Sequence, residues 1–216
     1  MRFRDCLLAV AVAVIWGLNF PATALALEYF PPLLLAAVRF ALVAVPTILL
    51  VPRPQIPIRW LVLVGAGLGM IQFAFLYLGM AAGMPSGLAS LVLQASAPFT
   101  VLIAAMWLGE RLAPRQAAGV GIAVLGLAAI AVHRSQTAAL LPVLLTLCAA
   151  LGWALGNVAT RRAKAPNPLH LTLWWSVVPP IPLFALSLAV EGPHRIGDAL
   201  GGAFTPIALT ADFGLL

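Results

Sequence analysis

Long apolar runs alternate along the chain with short polar connectors. A helix that crosses the hydrocarbon core of a bilayer needs about 20 mostly apolar residues. Seven segments fit that rule: Cys6–Leu27, Leu33–Val51, Trp60–Ala82, Ser86–Leu108, Gln116–Val132, Ala138–Thr160 and Leu169–Val190. They are numbered here as spans one to seven. The connectors are rich in proline, at Pro31-Pro32, Pro52/Pro54/Pro57, Pro85, Pro114 and Pro166/Pro168. Proline suits a helix end or first turn, where its missing N–H has no partner to lose. No connector is long enough to hold a soluble domain. Span one follows Arg2 and Arg4 and ends near Ala-x-Ala sequences, as a signal peptide does. Its apolar stretch is longer than a signal peptide's, and further spans follow it, so it is read as an inserted helix.

Internal breakers punctuate the pattern. Pro21, Pro46, Pro98 and the cluster Pro179-Pro180/Pro182 predict interruptions of spans one, two, four and seven. A broken helix is tolerated in lipid where protein or a cavity satisfies the freed backbone groups, and such breaks mark sites of movement or binding. Gly65 with Gly69 on span three, and Gly119 with Ala123 on span five, are small-xxx-small pairs that predict close helix packing.

Composition agrees with a membrane protein. Of the 216 residues, 63% are hydrophobic and 8% are charged. An ordinary globular domain has about 45–50% and about 25%. Mean hydropathy is +1.08. A soluble fold, a disordered chain, a coiled coil and a disulfide scaffold are excluded together. The fold class expected is an all-α membrane protein with about seven transmembrane helices.

The net charge of +6 would suggest nucleic acid in a soluble protein. Here the basic residues are scattered over short loops, with no basic face and no stacking platform, so no nucleic-acid partner is expected. They read as topology signals. One set of alternate span ends carries nine: Arg2, Arg4, Arg53, Arg59, Arg111, Arg115, Arg161, Arg162 and Lys164. The other set carries Arg134 and Arg195. This bias predicts a multi-pass protein with a cytoplasmic N-terminus and span seven ending outside. Cys6 and Cys148 both lie in apolar runs, without metal-ligand or disulfide spacing.

A weak internal repeat relates spans one and six. Ile15-Trp16-Gly17-Leu18-Asn19 with Ala22-Thr23 is matched by Gly152-Trp153-Ala154-Leu155-Gly156-Asn157 with Ala159-Thr160, the tryptophans lying 137 residues apart. If five spans make a unit, span six opens a second one. An odd number of spans inverts the second copy, as in many transporters.

Polar side chains within a bilayer carry the functional signal. Trp16, Asn19 and Thr23 share one face of span one, and Trp153, Asn157 and Thr160 share one face of span six. Ser86, Ser90 and Gln94 form a stripe on span four, and span three offers Gln72 and Tyr77. Converging, these faces line a polar cavity; diverging, they are hydrogen bonds between helices. Arg39 is the one basic residue inside a span, roughly 9 Å past its start at about 1.5 Å per residue. An unpartnered guanidinium at that depth is costly. A substrate carboxylate would neutralise it; the alternatives are snorkelling to the outer surface or pairing with Glu28. The cavity candidates are therefore Trp16, Asn19, Arg39, Gln72, Gln94, Trp153 and Asn157.

Enzymatic readings find no support. The chain has no Walker A loop, dinucleotide fingerprint or HExxH motif. His133, His170 and His194 fall in loops or at span ends. Gly83-Met84-Pro85-Ser86-Gly87 is not a nucleophile elbow. Glu110 most simply pairs with Arg111 or Arg115. No enzyme activity, metal or cofactor is expected, and transport without an ATP site would run down a gradient or be coupled to an ion.

The run Ala13-Val14-Ile15-Trp16-Gly17-Leu18-Asn19-Phe20 resembles the opening of EamA-type members of the drug/metabolite transporter superfamily. The likeness continues through Phe30-Pro31-Pro32-Leu33 and Val38-Arg39-Phe40. It is most specific at Gly83-Met84-Pro85-Ser86-Gly87-Leu88-Ala89-Ser90-Leu91-Val92-Leu93-Gln94-Ala95 and Gly109-Glu110-Arg111-Leu112, and resumes at Trp153-Ala154-Leu155-Gly156-Asn157. Together these motifs look closest to the O-acetylserine/cysteine exporter branch. The resemblance implies ten helices in two inverted five-helix repeats. Residues 6–132 would form the first repeat and 138–190 the first two helices of the second. Family members run longer, so the Gly-rich tail 191–216 is expected to mark a truncated or frameshifted end.

The implied function is a secondary transporter of the bacterial inner membrane that exports small amino-acid-like metabolites. A zwitterionic substrate would place its carboxylate near Arg39 and its ammonium against Asn, Gln or Trp side chains. The alternatives are broad-specificity drug efflux and an inactive, truncated membrane protein. The expected partners are a small-molecule substrate and the lipid bilayer; a homo-oligomer is left open.

Overall fold

A computed structural model describes residues 3–109, 112–135 and 140–203. Glu110 and Arg111, and with them the expected Glu110 pairing, lie outside the described residues, as does 204–216. Span one is a single helix, α1 (Phe3–Tyr29), and span two is α2 (Pro32–Leu50). Span three comprises α3 (Ile58–Gly65), a π-helical segment (Ala66–Ile71) and α4 (Gln72–Ala81). Span four is α5 (Ser86–Leu93) and α6 (Ser96–Leu108), and span five is α7 (Pro114–Ser135). Span six is α8 (Leu141–Ala163). Span seven comprises α9 (Pro168–Trp174), a 3-10 turn (Trp175–Val177) and α10 (Pro180–Val190). A short helix, α11 (Pro193–Ala203), follows. Among the described residues, six helices are long and apolar enough to cross a membrane, and span five contributes the shorter apolar stretch Pro114–Ile130.

The helices start and stop for local reasons. Pro32 occupies the first turn of α2, and Pro168 that of α9, where Asn167 Oδ1 accepts the N–H of Leu169 at 3.0 Å and of His170 at 3.3 Å. The two motifs that carry the resemblance most specifically both begin on a glycine in the left-handed region, Gly83 at φ 100° and Gly109 at φ 68°. Each follows the end of a helix, where a side chain would be strained.

The internal prolines act unequally. Spans four and seven are broken as expected, but α1 and α2 run through Pro21 and Pro46 without interruption. Losing one N–H does not end a helix when nothing else opposes it. In span four, Pro98 has no N–H for the Gln94 carbonyl, which instead accepts from Ala97 N at 3.0 Å. Gln94 N and Ala95 N turn back tightly onto Leu91 and Val92, and the helix breaks there.

Helix α8 lies at the centre, with span three on one side and span four on another. Lipid tails are as apolar as leucine, so small residues and close backbones hold such a bundle together. A Cβ on Gly67 would lie 2.5 Å from Gly156 N and 2.9 Å from the Gly152 carbonyl oxygen. From the other helix, a Cβ on Gly152 would meet Ile71 and the Gln72 backbone nitrogen. Gly65 and Gly69 use the expected small-residue face, but against Val178, Trp175 and Pro179 at the break in span seven. The second pair does not behave as expected: a Cβ on Gly119 would meet nothing within 4 Å among the described residues.

Span seven is tied back to span two by a buried carboxylate that the sequence pattern does not reveal. Glu191 is 8% exposed. It accepts the N–H groups of Leu33 at 2.6 Å and Leu34 at 3.1 Å, and the hydroxyl of Ser187. A negative group here satisfies the free donors at the start of α2 and opposes the helix dipole favourably. Trp174 Nε1 donates to the Val51 carbonyl at 2.9 Å, at the other end of α2.

The glycine contact makes a direct prediction. Gly67→Ala should lower stability by about 1–3 kcal/mol, because backbone atoms cannot repack around a new methyl. Gly119→Ala should stay within about 0.5 kcal/mol of wild type. Thermal loss of the monodisperse gel-filtration peak in detergent measures both.

Candidate functional site

The α1, α2, α4, α5 and α8 helices line an open cleft of about 430 Å³, with Trp16 at 57% exposure on its rim. Six of the seven residues expected there line it: Trp16, Asn19, Arg39, Gln72, Gln94 and Trp153. Ser86 and Ser90 complete the span-four stripe along the same wall. Asn157 does not line the cavity. Its Nδ2 donates to Thr100 Oγ1 at 3.3 Å, while Thr160 bonds to the Gly156 carbonyl of its own helix. The shared face on span six therefore splits, with Trp153 turned to the cavity and Asn157 to α6.

Arg39 is half-buried and defines the chemistry of the site. Its Nη1 donates to Asn19 Oδ1 at 2.9 Å and to Tyr77 Oη at 2.8 Å. The guanidinium carbon stands 4.8 Å from the centre of the Phe73 ring, close enough for a cation–π contact. These three contacts fix the plane of the guanidinium. They use both hydrogens of Nη1 and leave the Nε and Nη2 edge without a protein partner among the described residues. That edge is the one that takes a carboxylate through two parallel hydrogen bonds. Glu28, offered above as an alternative partner, is not bonded to Arg39.

Tyr77, 1% exposed, stands behind Arg39 rather than on the cavity wall. Its ring packs edge-on against Phe73, with centroids 5.6 Å apart, so the same aromatic pair supports the cation from below. Phe73 carries no functional signal in the sequence, because an aromatic residue in an apolar helix reads as packing. The one hint was its spacing of four from Tyr77, which puts the two on one face.

Among the described residues on the cavity wall, Arg39 carries the only formal charge. The remaining polar groups are neutral amides, hydroxyls and indoles. Trp16 and Trp153, equivalent in the weak repeat, meet edge to face with centroids 5.3 Å apart. Pro21 also lines the cavity and has no N–H to give the Gly17 carbonyl beside it. The wall thus offers one cationic edge, several neutral acceptors and aromatic surface, a set that suits a small molecule bearing a carboxylate and an ammonium.

The EamA-like transporter family profile matches residues 4–132. The chain is 41% identical over 198 residues to a protein of Escherichia coli K12 named "Probable amino-acid metabolite efflux pump", covering 89% of this chain and 66% of that one. A protein of the same name from Salmonella typhimurium LT2 is 40% identical over 206 residues, covering 93% of this chain and 69% of that one. A "Probable terminal-alkyne amino-acid exporter" of Streptantibioticus cattleyicolor is 32% identical over 140 residues, covering 61% of this chain and 46% of that one. The chain thus spans about two thirds of the length of the two efflux-pump relatives. No solved structure matches it significantly. With a family profile over more than half of its length, set on a bundle of apolar helices around a polar cavity, this chain belongs to the EamA-like transporter family.

Proposed function

We propose that the protein is a secondary transporter that exports small amino-acid-like metabolites across the bacterial inner membrane. The observation that carries the reading is the Arg39 edge facing a cavity with no acid among the described residues on its wall. A fixed cation within a membrane span, held by neutral partners, favours an anionic group on the ligand. A carboxylate docked there leaves the ligand's ammonium for the neutral acceptors of Gln72, Gln94 and the serines, or for the indole faces. At about 430 Å³ the cavity has the size of a small-molecule site. The names of the relatives agree with an amino-acid-like cargo. Cysteine and O-acetylserine are the substrates proposed. A cationic drug would find no opposite charge among the described residues on this wall, which disfavours broad drug efflux.

The proposed layout keeps 6–132 as one five-helix repeat and 138–190 as the start of an inverted second one. Contact between the equivalent tryptophans supports it, because repeats related by a pseudo-two-fold axis bring matched residues together at that axis. The arginine-rich span ends are assigned to the cytoplasm.

Two outcomes are expected. Arg39→Gln should reduce cysteine and O-acetylserine export by about 30-fold or more, corresponding to about 2 kcal/mol for a lost buried charge pair. The protein should still accumulate in the membrane. Arg39→Lys should recover only part of the loss, because an ammonium keeps the charge without the planar fork, and Glu28→Gln should export as wild type. Export normalised to membrane protein level decides, and wild-type rates for Arg39→Gln would end the carboxylate assignment. Orientation is checked separately: reporter fusions after Val51 and Thr160 should be cytoplasmic, and a fusion after Val190 should be outside.

A further inference from the structure

A second cavity, of about 390 Å³, opens between α6, α7 and α8. Thr100, Ala104 and Arg161 lie on its wall. Its position follows from the first cavity by the geometry of two helices that run together. On α8, Trp153, Asn157 and Arg161 are spaced four residues apart and share one face, each step advancing about 6 Å. Trp153 lines the first cavity and Arg161 the second. On span four, Gln94 lines the first cavity and Thr100 the second. Between the two stands one cross-helix contact, Asn157 Nδ2 donating to Thr100 Oγ1 at 3.3 Å. Thr100 has already given its hydroxyl proton to the Ser96 carbonyl at 2.6 Å, so its oxygen faces Asn157 as an acceptor.

We propose that the two cavities are successive stations of one route along the seam between span four and α8, and that the Asn157–Thr100 pair is the constriction between them. The second cavity then takes the same small polar molecules as the first, on their way between it and the arginine-rich ends of the spans. Three features fit this assignment. The pair is a single long hydrogen bond between neutral groups, which breaks and reforms easily. Span four, which carries Thr100, is broken between α5 and α6 at Gln94–Ala95, on the side of the first cavity, so α6 can move relative to α5 at a break already present. Finally, it explains why Asn157 leaves the cavity wall while its repeat equivalent Asn19 stays on it: each amide contacts a different part of the route.

The inference rests on the transport reading, but its test does not require a substrate. The native cysteines Cys6 and Cys148 are both exposed and are first replaced by alanine. Gln94→Cys then reports access to the first cavity, using a membrane-impermeant cationic methanethiosulfonate applied to inside-out vesicles, where the arginine-rich ends face the reagent. Asn157→Ala and Thr100→Val, each added singly, should raise the labelling rate at least fivefold. A Thr100→Cys/Asn157→Cys disulfide, formed before labelling and scored with Gln94→Cys, should suppress it. The same double-cysteine protein after reduction is the reference for this arm, so it is read independently of the single variants, and equal labelling of its oxidised and reduced forms also counts against the route. Labelling at one rate in all of these backgrounds would overturn the route. Gated labelling in a protein that exports neither cysteine nor O-acetylserine would keep the route and reject the substrate reading.

Discussion

The contact on which the architecture depends is the meeting of two backbones, span three against α8, at Gly67, Gly152 and Gly156. In water a hydrophobic core would draw these helices together; in lipid that force is absent, and only close packing and hydrogen bonds remain. Three glycines allow an approach that no side chain would permit. The π-helical segment Ala66–Ile71 lies at this contact. Directly beyond it come Gln72, Phe73 and Tyr77, so the same contact that seats span three on α8 delivers the groups that surround Arg39.

Arg39 is expensive to place within a membrane, and the fold contains the expense with three neutral contacts rather than an acid. Asn19 and Tyr77 accept from one nitrogen, and Phe73 lies under the plane. An acid would have quenched the charge. Neutral partners orient the guanidinium and leave its field directed into the cavity, where a ligand carboxylate can answer it. Glu191 shows the opposite solution elsewhere in the same bundle. Its carboxylate is consumed by backbone donors and a serine, and it ties the start of span two to the end of span seven.

Much of this was legible in the order of residues. Hydropathy located the spans, because length and apolarity are set by the bilayer itself, and proline and glycine marked most helix ends. Residues of the polar stripes on spans one and four line one cavity, since spacing fixes which residues share a face. Spacing does not say what a face meets, and so Asn157, on the same face as Trp153, turned out to bond Thr100. Nor could local pattern reveal Glu191, whose partners at Leu33 and Leu34 lie 158 and 157 residues away. The π segment was equally hidden, because no proline announces it and its packing partners belong to other spans. Pro21 and Pro46 erred the other way, marking breaks in helices that continue.

The account stands on the claim that the cavity recognises a carboxylate. Binding of radiolabelled cysteine to the purified protein in lipid nanodiscs, with cysteamine as competitor, tests it most directly. Cysteamine keeps the ammonium and the thiol and lacks only the carboxylate. The account predicts that unlabelled cysteine displaces the label and that cysteamine does so about tenfold more weakly or worse, a difference of about 1.4 kcal/mol or more. Equal displacement by the two compounds would contradict it.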